Sequence, residues 1–120
     1  MSQDSRINLN KIVETLGLVV KVGGKKLDRE VRGGYASDLL SDVIAHGQTG
    51  DIWITLQVHQ NIVAVAVLKE LAGIVLIGGK EPTEETLEKA RKKNVVVLTS
   101  PLSAFELSGR LYELGLRGRG

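Results

Sequence analysis

The sequence contains no cysteine, and only 3% of its residues are aromatic. The absence of cysteine excludes disulfides, a thiol nucleophile and a cysteine-ligated metal. The shortage of aromatic rings removes the stacking surfaces on which proteins hold the bases of single-stranded nucleic acids. The net charge is only +2, which gives little attraction for a polyanion. We therefore expect no nucleic-acid partner.

Long apolar stretches are also lacking. The longest candidate, residues 62–68, is followed directly by Lys69 and Glu70, far short of the ~18 apolar residues that a membrane-crossing helix needs. Residues 1–11 are polar and mixed in charge, unlike a secretory signal. The sequence therefore predicts a cytoplasmic protein without a membrane partner.

The composition that remains is typical of one globular domain. The 120 residues are 42% hydrophobic and 25% charged, the balance of an ordinary soluble domain. A chain of this length buries roughly two-thirds of its unfolded surface. We assign residues 1–116 to a single domain and residues 117–120, with the sequence Arg-Gly-Arg-Gly, to a flexible tail.

Residues 51–79 form the central unit of the chain. Residues 51–56 and 74–77 are rich in Ile and Val, as strands buried on both faces of a parallel sheet are. Residues 62–68 between them could be a third strand, because four of these seven apolar residues are β-branched. We favour a helix, since the polar Gln60 and Asn61 precede the segment and its pattern continues past ordinary strand length. A right-handed βαβ crossover follows from this interpretation.

The helix predicted at residues 62–68 has no polar side. A helix that is apolar all round is buried all round, and in a chain of this size the sheet covers only one side of it. A second copy of the chain would cover the other side. We therefore predict a homodimer whose interface includes Ile62, Val63, Val65 and Ala66.

Strands and helices alternate along the rest of the chain. Further helices are predicted at residues 8–16, 37–46, 83–93 and 103–114, and further strands at 18–22, 27–32 and 95–98. In the last helix, Phe105, Leu107, Leu111 and Leu114 are predicted to face inward. The fold class is therefore α/β, with a mostly parallel sheet of four to five strands and helices on both faces in three layers.

Polar residues collect where the predicted parallel strands end. Ligands of open α/β sheets bind outside the carboxyl ends of the strands, and paired glycines let backbone N–H groups approach an anion. For Gly78 and Gly79, a simple turn of the chain after the strand is the commoner role. The candidate ligand-binding residues are Gln57, His59, Gln60, Asn61, Gly78, Gly79, Lys80, Thr99 and Ser100.

Catalytic residue patterns are sparse. Gly79 and Lys80 are followed by Glu81, whereas a phosphate-binding P-loop requires Ser or Thr after its lysine. The two histidines, His46 and His59, have no evident third metal ligand. His59 could act as a base or a phosphate ligand, although a packing or capping role is commoner at a helix entry. We predict no catalytic residue, no metal and no cofactor, and hence a protein that is not an enzyme.

Four segments resemble stand-alone DRTGG domains: residues 31–42 (VRGGYASDLLSD), 72–79 (AGIVLIGG), 103–106 (SAFE) and 111–115 (LYELG). Such domains are similar to the N-terminal domain of HPr serine kinase/phosphorylase, and they accompany CBS domains in some pyrophosphatases. The resemblance implies an accessory role in regulation or oligomerisation, because the kinase chemistry belongs to a separate P-loop domain. This chain departs from the motif that names the family. It has His59-Gln60 in place of the Asp-Arg pair and Ile77 in place of the Thr.

Three functional hypotheses follow. The first is a non-catalytic regulatory or scaffolding domain that homodimerises and acts on a partner protein. The second is a sensor of a small anion or nucleotide at the carboxyl ends of the strands. The third, suggested only by the kinase resemblance, is phosphotransfer to a protein, and it ranks lowest because nothing in the sequence is an evident holder of nucleotide phosphates and Mg²⁺.

Overall fold

The computed structural model describes residues 6–118. The strands in this part of the chain are β1 (Ile7–Asn8), β2 (Val19–Val22), β3 (Glu30–Val31), β4 (Gly33–Ala36), β5 (Asp51–Thr55), β6 (Gly73–Leu76) and β7 (Val97–Thr99). The helices are α1 (Leu9–Leu16), α2 (Leu40–His46), α3 (Asn61–Lys69), α4 (Glu84–Lys93) and α5 (Ala104–Leu114).

Five strands form the main sheet in the order β2-β7-β6-β5-β4. Strands β4 to β7 are parallel, and β2 joins β7 in the antiparallel direction. Because successive crossovers step in one direction across the sheet and are right-handed, helices α2, α3 and α4 share one face. Helices α1 and α5 cover the other. The predicted fold class, a three-layer α/β domain with a mostly parallel sheet, is confirmed.

The buried strands serve both layers at once. Along β5, Ile52 and Ile54 pack into the layer of α1 and α5, whereas Trp53 packs into the layer of α2 to α4. Every residue of β5 and β6 is buried. Successive side chains of a strand point to opposite faces, so a strand covered on both sides reads as a continuous apolar run, which is why the sequence located these strands.

The central segment forms helix α3, as predicted. The residues of this helix that were predicted to form a dimer interface are instead buried within the chain. Ile62, Val63, Val65 and Ala66 are at most 5% exposed within the single chain. They pack against the sheet and against the neighbouring helices α2 and α4, so one chain buries them without help. The exposed positions of this helix lie on the remaining side.

Strand β4 lies between the strand predicted at residues 27–32 and the helix predicted at 37–46, where the sequence predicted no element. Gly33 and Gly34 have little intrinsic preference for strands, yet the segment pairs with β5, with Tyr35 opposite Trp53. The tertiary pairing overrides local preference, and it delays α2 until Leu40. The predicted start of that helix, Ser37 or Asp38, instead lies in the connection that follows β4.

The remaining differences are local. Phe105, predicted to face inward, is 86% exposed, because it lies two residues, or about 200° of helix rotation, from the buried Leu107. The strand predicted at 27–32 is reduced to β3, which pairs with β1 outside the main sheet.

Of the predicted tail 117–120, residues 119 and 120 lie outside the described residues. The carbonyl of Arg117 accepts a hydrogen bond of 3.3 Å from the Gly34 N–H.

Candidate functional site

The paired glycines at the carboxyl edge of the sheet use their N–H groups within the fold. Gly78 donates to the Leu102 carbonyl at 2.8 Å and Gly79 to the Ser100 carbonyl at 3.1 Å. Both glycines have positive φ, 65° and 75°, a conformation that glycine adopts without a steric penalty. The pair therefore turns the chain, which is the alternative left open by the sequence, and its amides are already occupied.

Other predicted ligand-binding residues are also engaged in the fold or lie apart. Thr99 and Ser100 are 5% and 3% exposed, and the Ser100 hydroxyl accepts from the Leu102 N–H at 3.1 Å. Gln57 donates through Nε2 to the Asp38 carbonyl at 2.9 Å. The exposed members of the set are His59, Gln60, Asn61, Gly78, Gly79 and Lys80.

Asp38 is a residue at this edge that sequence reasoning misplaced. Its Oδ1 accepts from the Thr55 hydroxyl at 2.9 Å and from the Leu56 N–H at 2.7 Å. It thereby caps the end of β5 from the neighbouring connection. A carboxylate at this point repels the anion that was predicted to bind here. If β4 had been predicted, the position of Asp38 shortly after the end of that strand would have placed it at the carboxyl edge of the sheet.

A second polar group lies on α2 near the edge strand. The Tyr35 hydroxyl donates to Asp42 Oδ2 at 2.8 Å, and His46 Nδ1 lies 3.1 Å from Asp42 Oδ1. The hydrogen bond from Tyr35 is the main cause that lowers the pKa of Asp42, followed by a hydrogen bond from Ser37. The same bond to Asp42 raises the pKa of Tyr35. This surface network orders the start of α2.

The opposite edge of the sheet, where the parallel strands begin, carries a groove. Three cavities of about 440, 480 and 700 Å³ adjoin there. Lys26 and Asn94 line both the first and the third, and Arg32 and Thr49 line both the first and the second. We call this combined depression the basic groove. Its basic side chains are Lys21, Lys25, Lys26, Arg29, Arg32, Lys69, Arg91 and Lys93.

The charge of the basic groove differs from that of the whole chain. Eight of the chain's 16 basic residues line it, but only two of the 14 acidic ones, Glu30 and Glu70. The groove therefore has a formal charge of +6 and the rest of the chain −4, although the whole chain carries only +2. One contact from outside the groove moderates this excess, because Lys21 pairs with Glu81 at 2.8 Å. Arg32 lies 4.0 Å from Glu30, whose charge is already counted in the +6.

Helix ends at this edge explain part of the positive charge but not all of it. Helices α2, α3 and α4 end here, and each C-terminus carries about −0.5 charge, or about −1.5 together. Arg29 is engaged separately, since its Nη1 donates to the carbonyls of Leu71 and Ala72, in the connection between α3 and β6, at 3.1 and 3.4 Å. The remaining cations exceed what the helix ends require, which leaves a surface suited to an anion.

Two other kinds of site have no support in residues 6–118. No group of three or more His, Asp or Glu side chains there could hold a metal ion. No helix in that range combines the length and apolar character needed to cross a bilayer.

The comparisons with known proteins agree on one domain type. The sequence profile described as the DRTGG domain matches residues 11–114. The fold is similar to the crystal structure of the CBS and DRTGG domains of the regulatory region of Clostridium perfringens pyrophosphatase, complexed with the activator diadenosine tetraphosphate. The TM-score is 0.70 at 23% identity. The search of curated proteins gives no match.

The structural match covers 92% of this chain and 47% of the Clostridium perfringens chain. The chain thus spans about half the length of that regulatory region, and at this identity the likeness shows a shared fold. The comparisons support the DRTGG part of the predicted resemblance and give no support to the HPr kinase part.

Proposed function

The chain belongs to the DRTGG domain family, and we propose that it is a regulatory domain that binds a small phosphorylated ligand and transmits the bound state to a partner protein. The observation that carries this proposal is the formal charge of +6 gathered in the basic groove. A similarly folded regulatory region that is complexed with a dinucleotide activator lends support to it.

The proposal keeps the ligand class that the sequence suggested but moves the site. The carboxyl edge offers occupied glycine amides and the carboxylate of Asp38, whereas the amino-terminal edge offers a cluster of cations around a cavity of about 440 Å³. Pockets of roughly 300–1,000 Å³ suit ligands of nucleotide size. Arginine and lysine side chains bind phosphate oxygens through charge-assisted hydrogen bonds.

The chemistry of the lining favours recognition of phosphates over recognition of a base. Among the described residues that line the basic groove, no aromatic side chain is present on which a purine could stack. Affinity should therefore rise with the number of phosphates and depend weakly on the base. We expect triphosphates and dinucleoside polyphosphates to bind more tightly than monophosphates.

A non-catalytic role is part of the proposal. Besides its cations, the basic groove is lined by the carboxylates of Glu30 and Glu70 and by the hydroxyl of Thr49, and no histidine or serine is among the described residues that line it. Phosphoryl transfer needs a positioned acceptor and held Mg²⁺ in addition to cations. Binding without turnover is the behaviour expected of a regulatory domain.

Calorimetric titration tests the ligand and its site together. AMP, ATP, diadenosine tetraphosphate and inorganic triphosphate would be titrated into the wild type and into a Lys26→Gln, Lys93→Gln double variant. Both lysines lie in the cavity of about 440 Å³. Because a hydrogen bond to a charged group contributes about 1.5–3 kcal/mol, we expect the double variant to lose at least about tenfold in affinity.

A matched control is Lys11→Gln with Lys80→Gln, which removes the same net charge at sites outside the basic groove. This control should retain nearly the full affinity. If none of the four ligands binds measurably to the wild type at moderate salt, the sensing function is rejected. An affinity that depends on Lys80 and not on Lys26 and Lys93 would return the site to the carboxyl edge.

The identity of the partner protein and a cytoplasmic location stay predictions from the sequence. Homodimerisation does too, and ligand sensing at the basic groove does not require it.

A further inference from the structure

We propose that the basic groove recognises the ribose of a nucleoside polyphosphate, with Glu70 and Asn94 as the residues that contact its hydroxyl groups. This inference rests on the function proposed above and names the part of the ligand that the groove distinguishes. The phosphates would lie in the cavity of about 700 Å³ and the ribose in the adjoining cavity of about 440 Å³.

Carboxylates are distributed unevenly along the basic groove. Four cations line the cavity of about 700 Å³, and no acidic residue is among the described residues that line it. Four cations also line the cavity of about 440 Å³, but both carboxylates of the groove, Glu30 and Glu70, lie there with them. Phosphate oxygens carry negative charge and are therefore held more strongly in the first cavity. The second cavity suits a part of the ligand that donates hydrogen bonds.

Glu70 and Asn94 occupy equivalent positions at the ends of two helices that pack against each other. Glu70 ends α3 with a φ of 54°, and Asn94 ends α4 with a φ of 59°. They are the two non-glycine residues with positive φ in residues 6–118, and both line the cavity of about 440 Å³. Glycine is the usual residue in this left-handed conformation, because it has no Cβ to be strained.

Two helices of the opposite layer end with glycine at the same position. Helix α1 ends at Gly17 with a φ of 66°, and α5 ends at Gly115 with a φ of 116°. Neither glycine lines the basic groove. The left-handed conformation is unfavourable for glutamate, so the presence of Glu70 indicates that its side chain does more than end the helix.

The fold uses the backbone of Glu70 but not its side chain. The Glu70 N–H caps α3, and its carbonyl accepts from the Gly50 N–H at 2.9 Å. Among the described residues, neither its carboxylate nor the side chain of Asn94 has a hydrogen-bond or ion-pair partner. Glu30, in contrast, lies 4.0 Å from Arg32. Glu70 and Asn94 are both exposed and can therefore contact a ligand.

The chemistry of these two side chains matches a ribose joined to phosphates. A ribose has two neighbouring O–H groups, and the two oxygens of a carboxylate can accept from both. In dinucleotide-binding folds an acidic side chain binds the ribose in this way. Asn94 lines both cavities, where its amide can donate to a phosphate oxygen. Neighbouring helices lie about 8–10 Å apart, a span that a ribose and its first phosphates cover.

Calorimetric titration of ATP, 2′,3′-dideoxy-ATP and inorganic triphosphate into the full chain tests the ribose contact. ATP and its dideoxy analogue have the same base and phosphates and differ only in the two hydroxyl groups. The wild type should bind ATP at least about tenfold more tightly than the analogue, which is the effect of losing a hydrogen bond to a charged group. Glu70→Gly should make the two affinities equal without weakening the binding of inorganic triphosphate, and Asn94→Gly should reduce the affinity for ATP.

The matched control is Glu30→Gln, which removes a carboxylate from the same cavity and should retain the preference for ATP over the analogue. A Lys25→Gln, Arg91→Gln double variant removes two cations from the cavity of about 700 Å³. It should weaken all three ligands to a similar extent. Thermal denaturation supplies a second measurement: because glycine suits the left-handed conformation, Glu70→Gly should keep or raise the melting temperature.

The outcomes separate this inference from the function on which it rests. Equal affinities of the wild type for ATP and the dideoxy analogue overturn the ribose contact and leave phosphate binding intact. A preference that Glu30→Gln abolishes and Glu70→Gly retains overturns the assignment to Glu70, as does a Glu70→Gly variant with a lower melting temperature, since the carboxylate would then stabilise the fold. If none of the three ligands binds to the wild type, the proposed function itself is rejected.

Discussion

At the scale of single residues, Asp38 shows where sequence reasoning stopped. Its position before an amphipathic segment made it a plausible helix cap, and only the pairing of β4 with β5 reveals that it holds the end of β5. The caps whose partners lie three residues away were predictable, because Thr83 and Ser103 accept from their own first helical turns. A contact across 17 residues, from Asp38 to Thr55, leaves no such local signal.

The hydrogen bond between Tyr35 and Asp42 leads to a pH-dependent prediction. The lowered pKa of Asp42 means that its stabilising effect is present above the ordinary value of 3.8 and is lost as the pH falls through the lower folded value. The raised pKa of Tyr35 means that its effect is present below 10.0 and is lost as the pH rises through the higher folded value. Tyr35→Phe should therefore destabilise the protein most between these limits.

Urea denaturation of the wild type and of Tyr35→Phe across the pH range measures this difference in unfolding free energy. The difference should shrink towards both extremes. In an Asp42→Asn background, Tyr35→Phe should lose most of this pH dependence. A wild-type difference that is flat with pH would contradict the assignment.

At the scale of elements, helix α3 shows what a run of apolar residues predicts about a segment and what it does not. Its apolar run correctly predicted a helix within a βαβ unit, but the run could not show how much cover one chain provides. The neighbours α2 and α4, which are distant in sequence, close over Ile62 and Val63. A segment of uniform hydrophobicity carries no information about which of its sides is outside.

The two sides of α3 should respond differently to truncation. Ile62→Ala removes a fully buried side chain and should lower the unfolding free energy by about 2–5 kcal/mol. Leu68→Ala truncates a side chain that is 64% exposed and should stay within about 0.5 kcal/mol. Urea denaturation at low protein concentration, where self-association is negligible, compares the two variants. Equal losses would show that the burial assigned to this helix is wrong.

At the scale of the whole molecule, the basic groove could not have been found from the sequence. Its cations come from β2 and the turn after it, from residues on both sides of β3, and from the ends of α3 and α4, and no short motif unites them. The total charge of +2 conceals the groove because the remaining chain is acidic. The fold class was predictable, since buried strands and amphipathic helices have strong local periods. The site depends on topology.

The sheet joins the two helix layers, so the protein should unfold as one unit. Trp53, the sole tryptophan of the chain, is fully buried in the layer of α2 to α4 and donates through Nε1 to the Ser37 carbonyl at 2.8 Å. Its fluorescence reports on that layer, whereas far-ultraviolet circular dichroism reports on both. The two signals should change together in urea. Separate midpoints would indicate layers that unfold independently.

The attachment of the last described residues to β4 has a consequence for any shortened form of the chain. Arg117 lies 3.8 Å above the Tyr112 ring, donates to two carbonyls of its own segment and holds the outer strand through Gly34. This arrangement covers part of the free edge of β4, which could otherwise pair with a strand of another molecule. A boundary placed before Arg117 would remove that shield, so a trimmed version of this domain would be more prone to aggregate than its stability suggests.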